Sequence, residues 1–67
     1  MSEIRSGDVM FEKQAMFDTW LVYWRGRFIG LVSREKLTFN NGCPLDESQK
    51  IEVEDTAVRF MLIGKGS

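Results

Sequence analysis

The sequence predicts a mainly β fold, a small antiparallel sheet of about five strands with a barrel-like shape, and α+β is the alternative class. Aromatic and β-branched residues are dense over 20–32 and 51–63. Glycine, asparagine and proline separate the apolar segments, as turns in an all-β chain do. Hydrophobic residues make up 43% and charged residues 28% of the 67 residues, which is a globular composition. We therefore expect one folded domain over residues 1–67.

The first expected element is a short N-terminal helix over residues 8–18. Asp8 is a suitable N-cap, and good helix formers follow it. Apolar residues recur at positions 9, 16 and 20 and at positions 10 and 17. A strand over the same residues is the alternative.

The stretch WLVYWRGRFIGLVS, residues 20–33, predicts a β-hairpin. Trp20–Trp24 and Phe28–Val32 have the residue types of strands, and Gly26 supplies the turn between them. Gly30 inside the second strand predicts a bulge or a strong bend, the feature with which small barrels turn a sheet back on itself.

Both faces of this hairpin are apolar. Alternation places Trp20, Val22 and Trp24 on one face, and Leu21 and Tyr23 on the other. We therefore expect both faces to need cover, from the core or from a partner.

A third strand is predicted over 37–39, and the turn signal Asn40-Asn41-Gly42 ends it. A polar loop over 46–49 is expected to follow.

The last segment is predicted to be β as well. Ile51 and Val53 alternate with glutamates, which is typical of a half-exposed strand, and the apolar run 58–63 predicts a buried strand. A helix capped by Asp55 and ending at Gly64 is the alternative for this run.

The segment GRFIGLVSREKL, residues 26–37, resembles the strand-to-helix portion of a CBS-domain motif. The resemblance covers about a dozen of the 67 residues. It implies a short helix with Ser33 as its cap. We infer no nucleotide binding from it, because the preceding helix and the second motif of the family are missing in the proper order.

The composition argues against enzymatic chemistry. The chain has no histidine, the commonest general base and metal ligand. Cys43 is the single cysteine, so it has no partner for an internal disulfide. We predict no catalytic residue, no cofactor and no metal site.

Positive charge is concentrated in residues 20–36, which we call the basic stretch. It carries four basic side chains against one acidic side chain, and residues 37–57 carry five acidic side chains against one lysine. The candidate partner-binding residues are Tyr23, Trp24, Arg25, Arg27 and Arg34. Tryptophan, tyrosine and arginine are enriched at the centres of protein interfaces. The alternative is that the aromatic side chains simply form the core.

These features predict a non-enzymatic protein-binding module, a small cytoplasmic adaptor or stoichiometric inhibitor. The expected partner is another protein, and a second copy of the chain is one option. A small core without a disulfide or metal often needs self-association. The acidic 46–55 segment also complements the charge of the basic stretch. Single-stranded nucleic acid is the alternative partner, since aromatic and arginine side chains also bind bases and phosphates. Nucleic acid is the less favoured partner of the two, because the chain is acidic, with a pI of about 5.3, and phosphate binding favours a basic surface.

The longest apolar runs span five residues, against the roughly 20 that a membrane-spanning helix needs. The first eight residues lack the apolar core of a signal peptide. We therefore expect a cytoplasmic location and no membrane partner.

Overall fold

A computed structural model describes residues 3–16, 18–34 and 36–63. The elements are β1 (Glu3–Ser6), β2 (Val9–Lys13), β3 (Thr19–Trp24), β4 (Arg27–Ser33), β5 (Lys36–Phe39) and α1 (Glu47–Arg59). The strands form one antiparallel sheet in which each strand pairs with the next along the chain. The predicted mainly β class with about five strands is therefore confirmed.

The predicted barrel-like shape is wrong, because the sheet is open and has β1 and β5 at its two edges. Helix α1 covers one face of the sheet. Val53 and Ala57 of the helix belong to the same buried cluster as Phe11 and Val22 of the sheet. The helix buries this face without any need for the sheet to close on itself.

The predicted helix over 8–18 is also wrong, since this segment begins with β2. Gly7 has a φ of +60°, which allows a tight turn between β1 and β2, and Asp8 lies in that turn instead of capping a helix. Val9 and Phe11 alternate into the core, with 2% and 0% of their surface exposed. After β2, the Gln14 N–H donates to the Thr19 carbonyl at 3.0 Å across the loop that leads to β3.

The predicted hairpin is confirmed as β3 and β4. Arg25 and Gly26 have φ angles of 51° and 83°, so the connection has the two positive φ angles of a type I′ turn, whose twist matches that of paired strands. Arg25 also ties this turn to the β1–β2 turn. Its backbone N–H donates to the Asp8 carbonyl at 2.8 Å, and its side chain lies 3.2 Å from the Asp8 carboxylate.

The irregularity predicted at Gly30 is confirmed as a shift in register between β3 and β4. Val22 pairs with Gly30, and the next residue, Tyr23, pairs with Phe28. Ile29 is therefore the extra residue of a β-bulge.

The predicted third strand is confirmed as β5, and the turn after it is also present. Gly42 has a φ of +77°, and the Cys43 N–H donates to the Asn40 carbonyl at 3.1 Å. The short helix implied by the CBS-domain resemblance is absent from the described residues, because β4 runs to Ser33 and β5 begins at Lys36. Residue 35 lies outside the described residues.

The predicted strands over 51–54 and 58–63 are wrong, because α1 occupies most of this segment. The helix is capped by Asp46 and not by Asp55, and position 64 of the alternative helix lies outside the described residues. The Gln49 N–H donates to the Asp46 carboxylate at 2.8 Å, and the Asp46 N–H donates to the Gln49 side-chain oxygen at 3.0 Å. This capping box starts the helix inside the stretch that looked like a polar loop.

The core lies between α1 and one face of the sheet. Its buried apolar residues are Val9, Phe11, Val22, Trp24, Ile29, Val32, Leu45, Val53 and Ala57. The helix contributes side chains at helical spacing, with Val53, Thr56 and Ala57 buried. The other face of the sheet contributes nothing to this core.

Candidate functional site

The five predicted partner-binding residues do not form one surface. Arg25 and Arg27 are exposed at the β3–β4 turn. Arg34 is exposed beyond the other end of β4, seven residues from Arg27, which corresponds to roughly 20 Å along a strand. Tyr23 is half-buried on the face that α1 leaves uncovered, whereas Trp24 points to the helix side.

Trp24 does not have the exposure that a binding anchor needs. It is 9% exposed and pairs with Val9 inside the core cluster. The physical reason is its position in β3, where it shares a face with Val22 and Trp20, the face on which α1 packs.

The face of the sheet opposite α1 has an apolar centre. Two rows of paired residues cross it, Met10–Tyr23–Phe28 and Glu12–Leu21–Leu31. We call this surface the open face, and its apolar centre consists of Met10, Leu21, Tyr23, Phe28 and Leu31. Within the part of the chain that the structure describes, α1 is the one helix, and it lies on the other side of the sheet.

The bulge in β4 explains why so much apolar surface lies on the open face. Strict alternation would place Phe28 and Leu31, three residues apart, on opposite faces. The extra residue Ile29 reverses the alternation, so Ile29 and Val32 are both buried under the helix, with 0% and 2% exposure. Phe28 and Leu31 then both lie on the open face, opposite Tyr23 and Leu21 respectively.

The centre of the open face is aromatic and partly exposed. Phe28 is 43% exposed, and its ring centroid lies 5.7 Å from that of Tyr23 at an angle of 56°. This tilted geometry is one that aromatic pairs favour. Met16, which is 86% exposed, lines a shallow depression together with Leu21 and Glu12, and so extends the apolar surface past the end of β2.

Polar and charged side chains surround this centre. Arg5 and Glu3 form an ion pair on β1, and Glu12 lies beside them on β2. Lys36 lies at the opposite edge on β5, in the row that also contains Ser33. An apolar centre with a polar rim is the arrangement found in protein–protein interfaces.

The acidic segment predicted to complement the basic stretch lies on the helix side of the molecule. Its exposed carboxylates on α1 are Glu47, Glu52, Glu54 and Asp55. Among the described residues, no ion pair joins α1 to the β3–β4 hairpin, and Arg25 is paired with Asp8 instead.

The interior of the described chain contains little polar chemistry. Thr56 is the one buried polar side chain there, and its hydroxyl donates to the Glu52 carbonyl at 2.8 Å, so its hydrogen bond is satisfied within the helix. Over the same residues, no group of three or more potential metal ligands is present.

The described helix is too short and too polar to cross a bilayer.

Sequence reasoning placed Tyr23 and Leu21 on one face, but it missed most of the apolar centre. Met10 could be found only if residues 9–13 were recognised as a strand. Phe28 and Leu31 required the exact position of the bulge, which Gly30 indicated only approximately.

A scan against protein-family models, a search of curated proteins and a search of solved structures found no match to the chain.

Proposed function

We propose that this chain is a non-enzymatic protein-binding module, a small cytoplasmic adaptor or stoichiometric inhibitor, and that it binds through the open face. The observation that carries this proposal is the set of five large apolar side chains on the sheet face that α1 leaves uncovered. Antiparallel sheets with one solvated face usually place polar residues on it. Apolar residues grouped on such a face, inside a polar rim, mark an interaction surface.

The residue types on the open face favour a protein partner. Tyrosine, phenylalanine and methionine are enriched at interfaces, because they offer a large contact area. Tyr23 and Phe28 are further constrained by packing against each other, so less side-chain entropy is lost when a partner covers them.

A single-stranded nucleic acid is the second candidate partner, and one observation favours it. Tyr23 and Phe28 lie side by side on the central strands of an open sheet, which is how RNA-binding sheets present aromatic rings to bases. Phosphate binding also needs positive charge around the rings. Arg27 begins β4 and pairs with Trp24 on the helix side, and Arg34 lies just beyond the other end of β4. On the open face, Glu3 and Glu12 lie beside Arg5 and offset its positive charge. The protein partner is therefore preferred.

Two features support the non-enzymatic and cytoplasmic parts of the proposal. The chain has no histidine, so it lacks the side chain that most often exchanges protons at neutral pH. Cys43 is a half-buried free cysteine, which suits a reducing compartment.

A differential capture experiment tests the proposal. Tagged wild-type chain is compared with Phe28→Lys, which places a charge at the centre of the open face, and with Ile51→Lys as the matched control. Ile51 is 54% exposed on α1, so the control adds the same charge at a similarly exposed apolar position on the other side of the molecule.

We expect the wild type and Ile51→Lys to retain at least one protein that Phe28→Lys loses. Untagged copies of the chain itself count as such a protein. Identical capture by all three baits would contradict the proposal. Tight binding of a single-stranded oligonucleotide that weakens steeply with salt would favour the nucleic-acid alternative.

A further inference from the structure

We infer that the partner that covers the open face is a second copy of this chain, so that two open faces pack into a symmetric dimer with one helix on each outer side. This inference rests on the proposed function, because it uses the same surface. It adds the identity of the partner and the geometry of the contact. The assembly would have four layers, with two sheets inside and two helices outside.

The layer structure of the single chain motivates this arrangement. A sheet that is apolar on both faces requires cover on both sides. Helix α1 covers one side through Val53 and Ala57, and Met10, Leu21 and Leu31 lie on the other. A second sheet with the same apolar centre supplies the missing layer, and two such faces pack about 10 Å apart in β-sandwiches.

The size of the sheet shows how much of the open face a stable dimer needs. Five strands about 4.8 Å apart, with six and seven residues in β3 and β4, make a sheet roughly 20 Å in each direction. Specific interfaces bury about 800 Å² on each partner, which is more than the apolar centre alone supplies. A dimer through the open face therefore uses the whole face, and the charged rim becomes part of the contact.

The charges of the open face select one orientation of the two copies. Glu3, Arg5 and Glu12 lie on its β1–β2 half, where Arg5 pairs with Glu3, and Lys36 lies on β5 at the other edge. A twofold axis parallel to β3 lays β1 of one copy over β5 of the other and β2 over β4, so Glu12 of one copy lies one strand spacing, about 5 Å, to the side of the strand that carries Lys36 of the other. The acidic half then meets the edge that carries Lys36, and opposite charges across the rim favour this register.

The other twofold arrangement is electrostatically unfavourable. An axis perpendicular to the strands lays β1 over β1 and β2 over β2, so the two Glu12 side chains lie on facing β2 strands, and Lys36 lies at the far edge from both. Among the described ion pairs, Arg5 is the partner of Glu3, and none includes Glu12. The geometry therefore points to the axis along β3, where Leu21 and Tyr23 of one copy meet the same residues of the other.

Sedimentation equilibrium over a concentration series that reaches the high micromolar range tests the inference. We expect the wild type and Ile51→Lys to reach twice the chain mass of 7.8 kDa. We expect Phe28→Lys to stay at the mass of one chain. Circular dichroism and thermal unfolding establish that both variants are folded. A monomeric wild type, or a folded Phe28→Lys that still dimerises, for example through the β5 edge, would overturn the inference.

Charge reversal at the rim tests the orientation and does not depend on Phe28→Lys being folded. We expect Glu12→Lys and Lys36→Glu each to raise the dimer dissociation constant severalfold at low salt, and the double variant to restore it. Single variants with unchanged dissociation constants, or a double variant weaker than both, would overturn the proposed orientation.

The two experiments also separate this inference from the proposed function. The wild-type chain could stay monomeric at every concentration and still capture a different protein that Phe28→Lys loses. That result would overturn the second copy as the partner and leave the proposed function intact. If neither association occurs, both fail.

Discussion

At the scale of single residues, Gly30 determines which side chains reach the open face. A Cβ atom at this position would lie 2.3 Å from the Thr38 carbonyl oxygen and 3.0 Å from the Phe39 Cα atom. Both contacts are with the backbone of β5, so no side chain can rotate away to make room. The bulge at Ile29 and the pairing of β4 with β5 therefore depend on glycine.

We expect Gly30→Ala to lower the free energy of unfolding by about 2–3 kcal/mol, because the added methyl group forces two strands apart. Denaturant unfolding at one fixed low concentration measures this change without a contribution from association. Gly7→Ala is the matched control. Its Cβ would meet nothing within 4 Å, so it adds only the strain of a φ of +60°, about 1 kcal/mol. A Gly30→Ala cost no larger than that of Gly7→Ala would contradict the packing described here.

The neighbouring residues Tyr23 and Trp24 show how far the sequence could define the site. Alternation correctly predicts that they lie on opposite faces of β3. Because both faces of the strand are apolar, the pattern alone does not indicate which one the helix covers. That choice depends on a helix more than twenty residues away in sequence, and it places Trp24 in the core and Tyr23 on the open face.

At the scale of elements, the strands with strong local signals were predictable and the helix was not. The β3–β4 hairpin and β5 follow from residue type and turn signals. In α1, the side chains that face the sheet are Val53, Thr56 and Ala57, of which one is polar and one is small, while Ile51 is exposed. The large apolar residues along α1 therefore do not recur with a helical period. The capping box of Asp46 and Gln49 is the signal in the sequence that marks the start of the helix.

The C-terminus of α1 has a methionine, Met61, at a backbone position where helices usually have glycine. The Leu62 N–H donates to the Ala57 carbonyl at 2.8 Å, and the Met61 N–H donates to the Val58 carbonyl at 2.9 Å. These are the two hydrogen bonds of a Schellman motif. Met61 occupies its left-handed position with a φ of +63°, where glycine is the usual residue.

We expect Met61→Gly to raise the free energy of unfolding by about 0.5–1 kcal/mol, because glycine adopts this φ without strain. The Met61 side chain is 88% exposed, so its removal costs little burial. Met16→Gly is the matched control, since Met16 is 86% exposed and does not have a positive φ. Thermal unfolding at low concentration should show a gain for Met61→Gly and none for Met16→Gly. An equal or lower stability of Met61→Gly would show that the left-handed position carries no strain.

At the scale of the whole molecule, the fold class was predictable but the barrel-like closure was not. The bend expected at Gly30 suggested a sheet that closes on itself, and the two apolar faces of the β3–β4 hairpin indicated that both sides need cover. Among the described residues, α1 instead covers one face, and no second layer covers the apolar centre of the open face. One face of the two-faced pattern is thus accounted for by packing within the chain, and the other is the face that we propose packs on a partner.

The central claim is that the open face is the surface on which the chain associates, and methyl NMR during dilution tests it most directly. Met10, Leu21 and Leu31 place methyl groups on this face, and Ile51 places them on the exposed side of α1. We predict that the resonances of the first three change together as the mass falls from two chains to one, while those of Ile51 stay constant. Resonances of the open face that stay constant while Ile51 changes, or a spectrum that does not depend on concentration, would contradict the account.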